Sequence, residues 1–312
     1  FAEDECRKNV PISVFTNPEV EFNEDIYCWL EPLVDQPPVN YYMRYATVTI
    51  LYNDAPAGAL DREWNPDRIA ETTPPWNNTP GANNVVMALA VQPDGKTVLA
   101  GDFTGVNAVP NVRIARLNGD GSLDTGFNAG LGADQAVNAL LLYPATSANF
   151  GRMLVAGSFT SMNGQQRNGI ARLLANGQLD TTFTPGRGAN GTVHAIALQS
   201  NDKVVVAGDF TAFNDVPRRG IARLNADGSL DESFDPGSGA DGIVWSVGLT
   251  PPSLGPEKII IGGDFSMVHG QSAIRVAQLN PDGSFDTTFN AGNVSAPVFA
   301  VTVQSDGRIL VE

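Results

Sequence analysis

The sequence predicts an all-β protein built from repeats of about 50 residues, each with four short strands. Three observations predict this class. A segment of the type AGDFT recurs, with its aromatic residue at Phe103, Phe159, Phe210 and Phe265, at spacings of 56, 51 and 55 residues. Short apolar runs alternate with Asp-Gly or Asn-Gly pairs, which supply the positive φ angles of hairpin turns. The 312 residues include 32 Gly and 21 Pro, which suits a fold with many tight turns.

Within each repeat, four strands follow one another. In the third copy they are VHAIALQ, KVVVAGDFT, GIARLN and SLDESF. The first and second strands are apolar at successive positions, as expected of sheets that pack against neighbours on both faces. This arrangement predicts a β-propeller, either a five-bladed ring or a larger one. Four full copies span 85–129, 137–185, 193–236 and 243–291, and a partial copy spans 298–312.

Recurring residues inside the repeat predict local structure. The Gly before each Asp-Phe or Ser-Phe pair, for example Gly208, marks a close backbone approach or a bulge. The Asp of the fourth strand, for example Asp231, recurs in every copy and should pair with an Arg of the third strand or cap a turn. The turn RLNxDGSxD superficially resembles a calcium loop, but Arg occupies the first ligand position, so we interpret it as an Asx turn.

The segment before the repeats predicts a separate β-sandwich, with strands in VPISVF, DIYCWLEPL and YATVTILYND within residues 1–54. Residues 55–84 then hold a short linker, an orphan outer strand (LDREWNP) and an inserted loop that contains Trp76. Because this loop is rich in Pro, we expect it at the surface.

The residues of the first segment resemble the C-terminal half of a Calx-β domain. The resemblance lies in Val10, Pro11, Ile12, Val20, Glu21, Asn23, Glu24, Leu30, 46–50, Asn53 and Asp54. It implies part of an immunoglobulin-like β-sandwich. Some members bind Ca²⁺, and the matching positions Glu21, Glu24 and Asp54 would supply its oxygen ligands. Thr16, Asn17 and Tyr52 replace acidic residues of the family pattern, so a solvated acidic loop is the alternative.

The repeats resemble the delta-60 repeat family. The match is carried by QPDGK at 92–96, by AGDFT and by RIARLNGDGSLDTGF, and it covers about residues 58–312. This resemblance implies a β-propeller carried on large exported bacterial proteins, beside adhesion-type sandwich modules. It implies no catalytic activity.

Composition excludes several function classes. The chain has 34 acidic and 19 basic residues, a net charge of −15, so it repels nucleic acid and anionic membranes. The longest apolar runs are too short for a membrane span. His194 and His269 fall at different repeat positions and form no catalytic dyad.

Cys6 and Cys28 either pair or stay as free thiols. The start in a charged stretch at Phe1 and the end in mid-strand suggest a segment of a longer polypeptide.

The places where the repeat pattern is interrupted are the best candidates for a binding surface. The turn between the first and second strands is expanded in two copies, at 143–152 and 250–258. Both loops should project from the same face and form a contact surface. The candidate binding residues are Trp76, Tyr143, Phe150, Pro252 and Leu254.

We therefore expect a non-catalytic structural or adhesive module of a large exported bacterial surface or filament-forming protein. Its partners would be other protein chains, with self-association into a filament or surface layer. Its location would be extracellular, on the cell surface. No cofactor is expected apart from Ca²⁺ at the acidic loop. The alternative is a propeller that binds glycan or another ligand.

Overall fold

The computed structural model describes Glu24–Trp29, Tyr45–Ile50, and residues 81–292 and 294–312. The chain divides into two compact units, Phe1–Glu63 and Trp64–Glu312. In the first unit, β1 (Glu24–Trp29) pairs antiparallel with β2 (Tyr45–Ile50). β2 falls within the predicted strand YATVTILYND, and β1 begins one residue before the predicted strand DIYCWLEPL. The predicted strand VPISVF lies outside the described residues.

The second unit is a series of β-propeller blades. Each complete blade is an antiparallel sheet with its first, second and third strands in spatial order. The sheets are β3 (Val86–Val91), β4 (Thr97–Gly101) and β7 (Ile114–Leu117); β8 (Val137–Leu142), β9 (Met153–Gly157) and β12 (Ile170–Leu173); β13 (Thr192–Leu198), β14 (Val204–Asp209) and β17 (Ile221–Leu224); β18 (Ile243–Leu249), β19 (Ile259–Asp264) and β22 (Val276–Leu279). A partial fifth blade pairs β23 (Val301–Val303) with β24 (Ile309–Val311).

The predicted fourth strand is present but very short. In the third blade it consists of a single antiparallel bridge between Leu224 and Leu230, and each other complete blade has the equivalent bridge. The strand cannot continue because the chain turns at once: the amide of Phe234 donates to the carbonyl of Asp231 (3.2 Å). The outer edge of each blade is therefore a turn held by one bridge.

A small hairpin between the second and third strands was missed by the sequence analysis. In the third blade, Asn214 and Asp215 both have positive φ (51° and 62°), as a two-residue type I′ turn requires. Phe213 of this hairpin is fully buried. The hairpins are β5 (Gly105–Val106) with β6 (Val109–Pro110), β10 (Ser161–Met162) with β11 (Gln165–Gln166), β15 (Ala212–Phe213) with β16 (Val216–Pro217), and β20 (Met267–Val268) with β21 (Gln271–Ser272).

The hydrophobic cores lie between consecutive blades. Along the second strand of the third blade, Val204 and Val206 pack against the second blade, whereas Val205 packs against the fourth. All three are fully buried, which confirms the prediction that this strand is apolar on both faces. First strands of neighbouring blades also contact each other directly, as expected where blades converge on an axis.

The recurring Gly at the end of the second strand allows a close backbone approach, as predicted. A Cβ atom on Gly208 would lie 2.1 Å from the carbonyl oxygen of Thr192. The first strand has a bulge at this point, where the register shifts between Val193 and Ala195. The other complete blades have the same approach and the same bulge.

Helix is scarce in the described part of the chain. It consists of one 3₁₀ turn, η1 (Pro252–Leu254), in an expanded loop of the fourth blade. Over the same residues, no helix has the length and apolarity needed to cross a bilayer.

Candidate functional site

Each complete blade contains one buried carboxylate that joins three of its segments. In the third blade, the Oδ2 atom of Asp231 accepts hydrogen bonds from Lys203 Nζ (2.8 Å) and Arg223 Nε (2.6 Å). Its Oδ1 atom accepts from the amide and hydroxyl of Ser233 (3.1 and 2.6 Å). The sequence analysis expected an Asp–Arg pair or a capped turn, and the structure has both.

The cluster recurs in the other complete blades with two changes: Arg152 replaces the Lys in the second blade, and Gln278 replaces the Arg in the fourth. Its members are Asp124 with Lys96 and Arg116, Asp180 with Arg152 and Arg172, and Asp286 with Lys258 and Gln278. The basic residue at the start of the second strand was not assigned a role from the sequence, although Lys or Arg occupies that position in every copy.

The third-strand Arg of the first three clusters also ties its blade to the next one. Arg172 Nη1 donates to the carbonyl of Ala226 in the third blade (2.7 Å), and Arg116 and Arg223 make the equivalent bond. The guanidinium of Arg172 lies over the ring of Phe183 at 5.0 Å, a favourable cation–π arrangement. Nearby, the amide of Thr184 donates to the carbonyl of Asp227 in the next blade (2.7 Å).

These carboxylates are held ionised. Burial raises the pKa of Asp231, but the hydrogen bonds from Lys203, Ser233 and Arg223 outweigh it and lower this pKa well below its ordinary value. The hydrogen bond from Lys258, with that from Thr288, does the same to the pKa of Asp286. A general base works best with a pKa near the operating pH. A recurring carboxylate with its lone pairs already occupied is therefore suited to structure and unsuited to proton transfer.

The RLNxDGSxD turn is an Asx turn, as interpreted from the sequence. Asp227 Oδ1 accepts from the amide and hydroxyl of Ser229 (2.9 and 2.7 Å). The side-chain hydrogen bond from Ser229 lowers the pKa of Asp227. Asp120 and Asp282 make the same contacts in their blades.

The two expanded loops meet on the third blade. From loop 143–152, Ser147 Oγ donates to Asp202 Oδ2 at 2.7 Å. On the other side, the amide and hydroxyl of Ser200 donate to Glu257 Oε2 of loop 250–258 (3.0 and 2.8 Å). Ser200 and Asp202 belong to the same short turn, so the loops lie on one face, as predicted. We call these two loops with the turn 199–203 the loop face.

The candidate binding residues of the loops separate into two groups. Phe150 (53% exposed), Leu254 (57% exposed) and Pro252 present apolar surface on the loop face. Phe150 borders a shallow open depression of about 490 Å³, lined also by Ala148, Gly151, Arg152, Leu174, Ala175 and Asn176.

Tyr143 departs from the prediction. It is only 2% exposed and packs in the core between the second and third blades. The reason is that its amide still donates to the carbonyl of Arg152 (3.1 Å), so backbone pairing extends one residue past the end of β8 and keeps Tyr143 out of the loop surface.

Of the three predicted calcium ligands, only Glu24 is among the described residues, so the calcium site stays a prediction. Glu24 begins β1, and Glu21, Asp54 and the other candidate Trp76 lie outside the described residues. Among the residues that the structure describes, no group of three or more His, Cys, Asp or Glu side chains is placed to hold a metal ion.

A row of side chains on the first strands was missed by the sequence analysis. The bulge residue of this strand is Met87, Asn138, His194 or Trp245 in the four complete blades, and Phe299 holds the same place in the fifth. The rings of His194 and Trp245 lie 4.3 Å apart, and those of Trp245 and Phe299 lie 5.9 Å apart. The signal was available: the five copies read VMA, VNA, VHA, VWS and VFA, with one highly variable position between a constant Val and a small residue, Ala or Ser.

Comparisons with known proteins agree with the blade structure. A family described as "Domain of unknown function (DUF5122) beta-propeller" matches residues 92–127, 151–183, 199–234 and 258–289. Each match begins near the turn before the second strand and ends at the Phe after the short fourth strand, so the family model matches one repeat in each of the four complete blades.

A solved structure with some similarity is the extracellular domain of a protein assigned as a one-component system in B. thetaiotaomicron. It is 11% identical, with a TM-score of 0.42, and the match covers 72% of this chain and 25% of that chain. A search of curated proteins finds no match.

Proposed function

We propose that this chain is a non-catalytic structural and adhesive module of a large exported bacterial surface protein, acting through protein–protein contacts of its repeats. The recurring ionisable groups support a structural role. A similar carboxylate cluster recurs in every complete blade, whereas a catalytic site is built once from groups with tuned pKa values.

The observation that carries the contact function is the loop face. Its loops interrupt the repeat, yet each is anchored by hydrogen bonds to the third blade at Asp202 or Ser200. Anchored loops lose little further conformational entropy when a partner binds. They hold Phe150 and Leu254 exposed on one side of the array. A rigid surface with exposed apolar side chains is typical of protein contact sites.

Self-association is the form of contact that can be measured on the chain alone. Sedimentation velocity from about 1 to about 100 µM should show reversible association. Replacing both side chains, Phe150→Ser with Leu254→Ser, should leave the chain monomeric over this range. Leu131→Ser is the matched control, because Leu131 is 73% exposed but lies outside the loop face, and it should associate as the wild type does.

Two results would overturn the contact function. One is a wild-type chain that sediments as a monomer at every concentration. The other is association that the double substitution leaves unchanged. Surface location is tested separately, by labelling intact cells that produce the protein with an antibody against these blades. Labelling that requires cell lysis would contradict an exported module.

A further inference from the structure

The bulge residues of the first strands form a continuous row across neighbouring blades. In the third blade, Val193 pairs with Gly208 and Ala195 pairs with Ala207, so His194 between them has no residue opposite. In the fourth blade, Trp245 has the same position between Val244 and Ser246. A β-bulge re-aims its extra side chain away from the regular alternation. These side chains are therefore directed by a feature that every complete blade repeats.

The row is held together from blade to blade. Asn138 Nδ2 donates to the carbonyl of Val193 in the next blade (3.3 Å). The ring of Trp245 then contacts His194 on one side and Phe299 on the other, each at an interplanar angle of 44°. We call Asn138, His194, Trp245 and Phe299 the bulge row.

Part of the row is accessible from solvent. His194 and Trp245 are half-buried, and Phe299 is 63% exposed. Tilted rings at these separations leave ring edges and the outer face of Phe299 free to contact another molecule.

The polar atoms of the row are available to a ligand. Within the described part of the chain, the ring nitrogens of His194 and the indole nitrogen of Trp245 have no hydrogen-bond partner. The Asp, Arg and Lys side chains of the carboxylate clusters, by contrast, are all internally bonded. Burial lowers the pKa of His194, with the nearby Asp209 charge opposing it. The imidazole is therefore neutral at pH 7, with one donor and one acceptor.

We propose that the bulge row binds a neutral oligosaccharide. A sugar presents C–H faces that pack on aromatic rings and hydroxyl groups that both donate and accept hydrogen bonds. The amide of Asn138, the neutral imidazole of His194 and the indole N–H of Trp245 match those hydroxyl groups.

Charge and hydrogen-bonding capacity favour a neutral oligosaccharide over acidic or cationic ligands. The net charge of −15 disfavours acidic ligands. A quaternary ammonium ion would suit the rings, but it accepts no hydrogen bonds and would leave the imidazole and indole N–H groups unused. A neutral sugar satisfies both the rings and the polar atoms.

The test is a calorimetric titration of the full chain with a panel of neutral hexasaccharides: cello-, chito-, manno- and xylo-oligosaccharides. At least one should bind with a Kd below about 1 mM. Trp245→Ala and His194→Ala should each weaken this binding about tenfold or more. Met267→Ala is the matched control, because Met267 is an exposed apolar residue of the Trp245 blade outside the row, and it should bind as the wild type does.

Folding effects are separated by milder substitutions. Trp245→Phe and His194→Gln keep the ring or the size of the side chain, so loss of binding with an unchanged melting temperature places the effect at the row. The proposal is overturned if no panel member binds at about 1 mM, if the row variants bind as the wild type does, or if tetramethylammonium binds instead. None of these results depends on the loop-face association.

Discussion

Removing the carboxylate of one cluster is the sharpest test of whether these ion pairs and hydrogen bonds stabilise the blades. We consider Asp231→Ala in the third blade and Asp286→Ala in the fourth. Asp231 forms ion pairs with Arg223, whose side chain is 7% exposed, and with Lys203, whose side chain is 29% exposed. Without the carboxylate, Lys203 can turn toward water, but Arg223 is fixed between its own Phe234 and the next blade. A buried charge left without its partner destabilises a protein by about 3–5 kcal/mol.

The fourth blade supplies the internal comparison. There the third-strand residue is the neutral Gln278 and the remaining cation is Lys258, whose side chain is 33% exposed. Asp286→Ala therefore leaves a neutral amide and a lysine that can reach solvent. The expected loss is that of unsatisfied hydrogen bonds, about 1–3 kcal/mol. The difference between the two losses in free energy of unfolding measures the cost of leaving the Arg223 guanidinium buried without its carboxylate.

The assay is urea unfolding at pH 7, followed by circular dichroism and by tryptophan fluorescence. Asp215→Asn is the control: Asp215 and its partner Arg187 are 70% and 76% exposed, such a pair contributes about 0–1 kcal/mol, and Asn tolerates the positive φ of this turn position. Equal losses for Asp231→Ala and Asp286→Ala would refute the role assigned to the arginine. A loss for Asp231→Ala no larger than that for Asp215→Asn would refute the cluster altogether.

Three further predictions concern acid stability, backbone packing and the loop face. The folded-state pKa values of Asp124, Asp180, Asp231 and Asp286 are lowered, so their stabilisation is complete well above the unfolded value of about 4 and is lost as the pH falls through that value toward the folded ones. Urea midpoints should be similar at pH 7 and at about pH 6 and should drop at pH 2; a flat profile down to pH 2 would contradict this. Gly208→Ala should unfold its blade or lower the melting temperature strongly, because the added Cβ would lie 2.1 Å from a carbonyl oxygen, whereas Gly119→Ala, with its closest contact at 3.8 Å, should melt near the wild type. Glu257 accepts a hydrogen bond from the amide of Ser200, so Glu257→Ala should speed hydrogen exchange at that amide with little change in global stability. Unchanged exchange at Ser200 would show that this hydrogen bond does not anchor the loop.

The repeat architecture was predictable because its determinants are local and repeated. A Gly with no room for a Cβ, an Asp followed by Gly in a turn, and an apolar second strand each depend on a few neighbouring residues, and four copies show the same pattern. Asp231 and Arg223 are eight residues apart, so their pairing could also be anticipated.

The details that escaped prediction depend on contacts between blades or on very short elements. The hairpin around Asn214 has only two residues in each strand, too few to show alternation. From the sequence, the expanded loop begins at Tyr143, although the amide of this residue still donates to the carbonyl of Arg152. The contact of His194 with Trp245 joins residues of different blades, and it becomes visible only when the copies are aligned and neighbouring first strands are known to lie side by side.

Consecutive blades pack on one another and share hydrogen bonds at their outer turns. The amides of Asn128, Thr184 and Asp235 lie outside regular strands and donate to carbonyls of the following blade, at 2.8, 2.7 and 2.8 Å. Hydrogen exchange at these three amides is the most direct test of this packing. If blades pack as described, these amides exchange as slowly as those of the buried second strands. Exchange at the rate of open loops would show that the blades do not meet there, and would contradict the propeller packing on which the account rests.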